Sequence, residues 1–128
     1  MSFVSRAQDF LKDQGDLKKH PKHEIMMATI QFLFDEDAIG RQNLVSTNSI
    51  IEHLNAIGHK IERGPWETDV LGPLRDSEIW LGSKPGGTGG IFIIKDKNDF
   101  EVVKKGYSKK YQTMMRRYQI LERLGEEL

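Results

Sequence analysis

Residues 64–76 limit the choice of fold more than any other part of the chain, because they contain two prolines and lie directly before a β-rich region. Pro65 suits the first turn of a helix, where its missing N–H group would have no partner in any case. Two short β-rich runs, 79–81 and 91–94, follow and flank the glycine-rich segment 82–90. This order predicts a helix that leads straight into a hairpin with a long polar tip.

The second proline of the stretch complicates this helix. Within a continuous helix, Pro73 removes the hydrogen bond to the carbonyl of Asp69 and clashes with that carbonyl, at a cost of about 3 kcal/mol. The sequence therefore predicts one of two outcomes at Gly72 and Pro73. Either the helix is bent there, or it is two short helical turns in succession.

Apolar residues at helical spacing predict four further helices. The first covers 3–13 with Ser2 as its cap, and the second, 24–34, is apolar nearly all round and therefore central to the core. A third follows the potential caps at 46–48 and stops at Gly58, and the last follows a cap at Asn98 and continues to about Leu124. Residues 41–45 are compatible with a short strand or with an extended lead-in.

The long last helix carries an apolar seam. At roughly 27 residues it is about 40 Å long, more than a small domain can cover, so part of it is expected to need another partner. A homodimer through this helix is one expectation, and packing against the helix at 3–11 is the intramolecular alternative. The seam has alternating steps of three and four and consists of Phe100, Tyr107, Tyr111, Met114, Tyr118, Leu121 and Leu124.

Length and composition indicate one compact, mainly helical α+β domain. Its predicted parts are an N-terminal helix and basic connector at 1–21, a core at 22–96 and the long helix at 97–128. The absence of cysteine excludes disulfides and thiolate zinc sites, and the four histidines lack ligand spacing. No metal, cofactor, small-molecule substrate or enzymatic activity is therefore expected. No apolar run has the length of a membrane span and no secretion signal is evident, so a cytoplasmic location is expected.

The net charge is zero, with 19 basic and 19 acidic residues. This balance argues against indiscriminate binding to nucleic acid, which depends on summed attraction to phosphates. It leaves room for local basic faces, and three segments are visibly basic: 18–22, Lys84 with the glycine-rich loop, and 104–117.

The run DVLGPLRD at 69–76, then IWLGS at 79–83, the glycine-rich loop and IFII at 91–94 resembles winged-helix domains of bacterial, phage and restriction-system proteins. One such domain is the C-terminal winged helix of the DpnI family of restriction endonucleases, which read methylated adenine. The resemblance covers about 24–124. It implies a winged helix-turn-helix with an extra N-terminal helix and a long C-terminal helix. The chain departs in having Ile91 or Phe92 where many relatives have Gly-Tyr, and in having no nuclease domain.

The resemblance implies that residues 65–76 enter the major groove of duplex DNA while the wing, 82–90, touches the flanking backbone. Thr68 can hydrogen-bond a base or a phosphate, and the two neighbouring acids can accept from an amino group. Trp66 could form an apolar wall for the methyl group of a methylated adenine. The base contacts predicted in this way are Trp66, Glu67, Thr68, Asp69 and Arg75. The predicted backbone contacts are Arg41, Ser46, Thr47, Asn48, Arg63, Ser83, Lys84 and Thr88.

Each assignment has a structural alternative. Trp66 can pack in the core, the acids Glu67 and Asp69 can simply favour the positive end of the helix dipole, and the wing can be an ordinary flexible loop. The rival function is a protein-interaction module of the same fold that docks a partner or dimerises through the last helix.

Overall fold

The computed structural model describes residues 2–84, 87 and 89–128. Six α-helical segments, three other short helical turns and one two-stranded sheet make up this part of the chain. In chain order the elements are α1 (Phe3–Lys12), a 3₁₀ turn (Gly15–Lys19), α2 (His23–Asp35), a second 3₁₀ turn (Arg41–Asn43), α3 (Thr47–Ala56), α4 (Arg63–Trp66), a π-helical turn (Glu67–Leu71), α5 (Gly72–Asp76), β1 (Leu81–Lys84), β2 (Gly90–Ile93) and α6 (Lys97–Gly125).

The first three helices confirm the sequence prediction, and their starts have clear physical causes. The hydroxyl of Ser2 accepts a hydrogen bond from the backbone N–H of Ser5, and the hydroxyl of Ser5 accepts one from the N–H of Ser2. The hydroxyl of Ser46 caps α3 in the same manner by accepting from the N–H of Ser49 at 3.0 Å. These caps satisfy N–H groups that have no partner inside the first turn. At the end of α3, Gly58 has a φ of 98°, which glycine adopts without strain.

The segment from α4 to α5 is helical throughout, with a change of hydrogen-bond pattern in its middle. It begins at Arg63, two residues before the start predicted at Pro65. In the π-helical turn the N–H of Gly72 donates to the carbonyl of Glu67, five residues earlier. Such a wider turn accommodates one extra residue. The helix therefore continues although Pro73 cannot donate the regular hydrogen bond to the residue four positions earlier. The segment is therefore not split at Gly72 and Pro73, because the helix passes through them by widening.

A hairpin forms in the predicted region, but its first strand is shifted: β1 covers Leu81–Lys84 instead of 79–81 and so includes residues 82–84, which were predicted to be loop. Strands β1 and β2 pair antiparallel, from Leu81 opposite Ile93 to Lys84 opposite Gly90. The open question about 41–45 is answered by a 3₁₀ turn followed by a single bridge, in which Val45 and Ile91 exchange hydrogen bonds of 3.0 and 2.7 Å. Val45 thereby acts as a third, one-residue strand on the free edge of β2.

The core lies between the helices and the inner face of the hairpin. Met26, Leu33, Leu54 and Trp66 are fully enclosed, and every residue of β2 is buried. The helix α1 covers one side of this core with Ala7 and Phe10. None of the helices that the structure describes has the length and apolar character to cross a membrane.

The start of α6 differs from the prediction. The cap is the side chain of Asp96, which accepts from the N–H of Asp99 at 2.9 Å, so the predicted cap at Asn98 is wrong. The carboxylate of Asp99 turns inward and accepts from the backbone N–H groups of Lys95 at 3.0 Å and Arg41 at 3.3 Å. This buried acid fixes the base of α6 against the body of the domain. At 29 residues, the helix is about 44 Å long.

Candidate functional site

The α4–α5 segment turns one face to the core and the other to solvent. Trp66, Val70 and Leu74, at spacings of four residues, are all fully buried. Three exposed residues follow Trp66 on the outer face: Glu67, Thr68 and Asp69. We call these three residues the acidic tip.

One residue of the acidic tip has a cationic neighbour on its own helix. The Nε of Arg63 donates to Oε1 of Glu67 at 2.9 Å. Both side chains are exposed, so the pair contributes little to stability. The pair compensates part of the negative charge of the tip and engages Arg63, the residue predicted to contact the DNA backbone.

The prediction that Trp66 contacts a base is wrong, because its side chain is 0 % exposed. The indole N–H donates to Oγ1 of Thr29 at 3.2 Å, and the Thr29 hydroxyl donates in turn to the carbonyl of Ile25 at 2.8 Å. A buried indole needs such a partner for its N–H group. The predicted apolar wall for a methylated base is therefore wrong as well.

Arg75 is also placed differently from the prediction. Its Nη2 and Nε donate to the carbonyl of Leu81 at 2.8 and 3.2 Å, and the guanidinium lies 5.3 Å from the ring centre of Trp80. Nη1 reaches the hydroxyl of Tyr107 at 3.5 Å. Burial lowers the pKa of Arg75, while Tyr107 and Glu67 act in the opposite sense. This side chain joins α5 to β1 and α6, and its donors are directed at the protein rather than at a base.

A groove of about 700 Å³ lies beside the hairpin and collects several of the predicted backbone contacts. Arg41, Ser83 and Lys84 all line it, and α6 adds Lys110 from the opposite wall. No acidic side chain is among the lining residues in the part of the chain that the structure describes. We call this the basic groove. The remaining lining residues are Gln42, Leu44, Phe92, Val102, Val103, Gly106 and Tyr107.

Lys110 was missed as a site residue by the sequence argument. The run 104–117 is visibly basic, but helical spacing alone does not say which of its cations faces the hairpin. In the structure, Lys110 is the basic residue of this run that lines the groove, and the others lie outside it.

The other predicted contacts are not part of the groove. The Ser46 hydroxyl is engaged as the cap of α3, and Asn48 is exposed beside it. Thr47 is 9 % exposed, so little of its surface is open to the DNA backbone contact predicted for it. Thr88 lies outside the described residues.

A second groove, of about 650 Å³, lies between α1, the residues before β1 and the base of α6. Aromatic rings dominate it: Phe3 faces Phe100 at 6.1 Å between centroids, and Trp80 meets Tyr107 edge-on at 5.2 Å. Phe3 therefore contacts α6 near its base, before the stretch 107–124 for which packing on the helix at 3–11 was the predicted alternative. Beyond Tyr107, the apolar side chains of α6 are exposed.

Comparison with protein-family models, with curated protein sequences and with solved structures finds no match to this chain.

Proposed function

We propose that this chain is a non-catalytic, cytoplasmic reader of duplex DNA with a winged-helix fold. In this proposal the α4–α5 segment enters the major groove, and the β1–β2 hairpin with the basic groove lies on the flanking backbone. The order of three helices, a helix-linked hairpin and the bridge at Val45 supports the assignment of the fold.

The observation that carries the proposal is the basic groove beside the hairpin. Arg41, Lys84 and Lys110 come from three separate elements and line one cleft, although the chain as a whole is neutral. Cations gathered from distant parts of a sequence suit the continuous line of phosphates in a nucleic-acid strand. Three neutralised phosphates predict that the logarithm of the binding constant falls against the logarithm of salt concentration with a slope of about −2.7.

The acidic tip supplies the discrimination in this proposal. Glu67 and Asp69 repel phosphates but accept hydrogen bonds from the exocyclic amino groups of cytosine or adenine in the major groove. Thr68 adds a hydroxyl for hydrogen bonding and a methyl group for contact with a thymine or another methyl group. In a paired methylated adenine the methyl group replaces the N–H that points into the major groove, and the remaining N–H serves the base pair, so Glu67 and Asp69 favour an unmethylated amino group. A preference for methylated adenine is therefore proposed on the methyl group of Thr68 alone, without Trp66.

The test is fluorescence anisotropy with short duplexes of different sequence, each with and without adenine methylation. Lys84→Ala is expected to weaken every duplex by a similar factor and to reduce the salt slope by about 0.9. Thr68→Ala is expected to weaken mainly the preferred duplex. Lys12→Ala is the matched control, because it removes an exposed cation at the end of α1 that does not line the basic groove.

Two results would overturn the proposal. One is the absence of binding to any duplex at low salt. The other is a loss of affinity with Lys12→Ala as large as that with Lys84→Ala, since binding would then follow net charge rather than the groove.

The exposed apolar face of α6 favours a second candidate, a protein-interaction module. A large set of apolar side chains in solvent is typical of an association surface. Two residues of this face, Met114 and Leu121, are more than two-thirds exposed. A chain that binds no duplex and still associates through this face would support this candidate over the first.

A further inference from the structure

The far half of α6 carries an apolar stripe that the domain body does not cover. Tyr111, Met114, Tyr118 and Leu121 are 64, 68, 55 and 69 % exposed. They continue the face with which Tyr107 packs on Trp80. The same face therefore packs on the domain at the base of the helix and is open to solvent beyond it. We call these four residues the α6 stripe.

The spacing of the α6 stripe is that of a coiled coil. Its steps are three, four and three residues, so Tyr111 and Tyr118 occupy a positions while Met114 and Leu121 occupy d positions of two consecutive heptads. Ridges of this kind pack against a matching helix with a small crossing angle. A second α6 carries the same ridge, so a second copy of the chain is a complementary partner in shape.

The charges beside the stripe specify the orientation. Lys110 and Arg117 occupy g positions, and Met115 and Glu122 occupy e positions. In a parallel pair each g residue meets the e residue five positions further along the partner helix. Arg117 then faces the partner's Glu122, and Lys110 faces the partner's Met115, so one contact is attractive and the other is neutral.

An antiparallel pair gives the opposite result. There g positions meet g positions, and Leu124 is a third g residue. In the antiparallel register that pairs all four stripe residues, Arg117 faces the partner's Arg117 and Lys110 faces the partner's Leu124, so one contact is repulsive and the other is neutral. Within the described residues, neither of the two intramolecular ion pairs involves Arg117 or Glu122, so both remain available to a partner.

We infer that two copies of this chain associate through the α6 stripe as a short parallel coiled coil. The pairing does not depend on the proposed DNA binding, and it goes beyond that function. Its consequence for the molecule is that both domain bodies lie at the same end of the paired helices.

The association itself is tested on the full chain without DNA by sedimentation velocity over a range of concentrations. A reversible monomer–dimer equilibrium is expected, because a coil of two heptads is short. Leu121→Glu is expected to weaken the dimer at least about tenfold by placing a charge in the seam. Gln119→Glu is the matched control, since it adds the same charge outside the seam and should leave the equilibrium unchanged.

Orientation is tested by a charge exchange and a crosslink. Arg117→Glu and Glu122→Arg should each weaken the dimer several-fold, and the double variant should restore it, because the pair forms again between the copies. The chain has no cysteine, so Tyr118→Cys introduces a single thiol. In a parallel pair the two a positions are close enough for a disulfide, whereas Gln112→Cys on the outer face is not.

The results test the association and its parallel orientation separately. A chain that stays monomeric at all concentrations overturns the inference even if it binds DNA. A dimer in which Tyr118→Cys gives no more crosslink than Gln112→Cys, or in which the charge exchange fails to restore association, overturns the parallel arrangement. Thermal unfolding of each variant by circular dichroism confirms that the body is intact, as expected for substitutions at exposed positions.

Discussion

Arg75→Met should destabilise the domain, because the guanidinium joins the α4–α5 segment to the hairpin. The substitution keeps an unbranched apolar side chain and removes both hydrogen bonds to the carbonyl of Leu81, of 2.8 and 3.2 Å. Loss of hydrogen bonding from a charged donor costs about 1.5–3 kcal/mol. Loss of the cation over the ring of Trp80 adds about 0.5–2 kcal/mol. Relief from burying a charge acts in the opposite sense, so the expected net loss is about 2 kcal/mol.

Equilibrium unfolding in urea measures this loss. With a slope of about 2 kcal/mol per molar, the midpoint should fall by about 1 M while the slope itself stays constant. Arg63→Met is the control, because it removes an arginine from an exposed ion pair and should cost less than about 0.5 kcal/mol. The two variants therefore separate an arginine that holds the fold from an arginine on the surface.

The competing view of Arg75 makes a different prediction for the same variant. If its guanidinium served mainly to read a base, Arg75→Met would lower DNA affinity and leave the urea midpoint within about 0.25 M of the parent, or about 0.5 kcal/mol at the same slope. That result would refute the structural role derived from its contacts.

Three further stability predictions follow from single contacts, each checked by urea unfolding. Trp66→Phe should cost about 2 kcal/mol, since it removes the indole hydrogen bond and leaves a small cavity in a closed core. Gly90→Ala should cost about 3 kcal/mol or more, because its Cβ would overlap the carbonyl oxygen of Val45. Gly87→Ala should be nearly neutral, because its Cβ meets none of the described residues within 4 Å. Gly106→Ala should stabilise α6 by about 0.5–1 kcal/mol, since its Cβ also has free space within a helix.

The helices could be predicted because their information is local. The apolar spacing of α1 and α2, the caps Ser2 and Ser46 and the stop at Gly58 all act within one or two turns. The cap of α6 was missed for the opposite reason. Asp96, Asn98 and Asp99 are all capable caps, and the choice depends on Asp99 turning toward Arg41, far away in the sequence.

The errors in the predicted site have a common cause. The resemblance assigns Trp66 and Arg75 to DNA from their position in the helix before the hairpin, but burial depends on which face of that helix packs on the core. A signal was present in the sequence, since Trp66, Val70 and Leu74 recur every four residues and thus share one face. The indole bond to Thr29 could not have been read from the sequence, because it joins residues 37 positions apart.

The cations of the basic groove and the acids of the tip lie in different places on the surface. In the proposed function, this separation lets a neutral chain read DNA selectively. The cations of the basic groove attract every duplex, whereas Glu67 and Asp69 at the tip repel phosphates of every duplex. In the proposed arrangement the groove therefore determines the general affinity, and the tip lowers it unless a base offers an amino group in reach of an acid. A wrong duplex leaves a carboxylate desolvated without a donor, which costs more than a good contact contributes. The acidic tip weakens binding to every duplex. For the same reason it would enlarge the difference in affinity between duplexes.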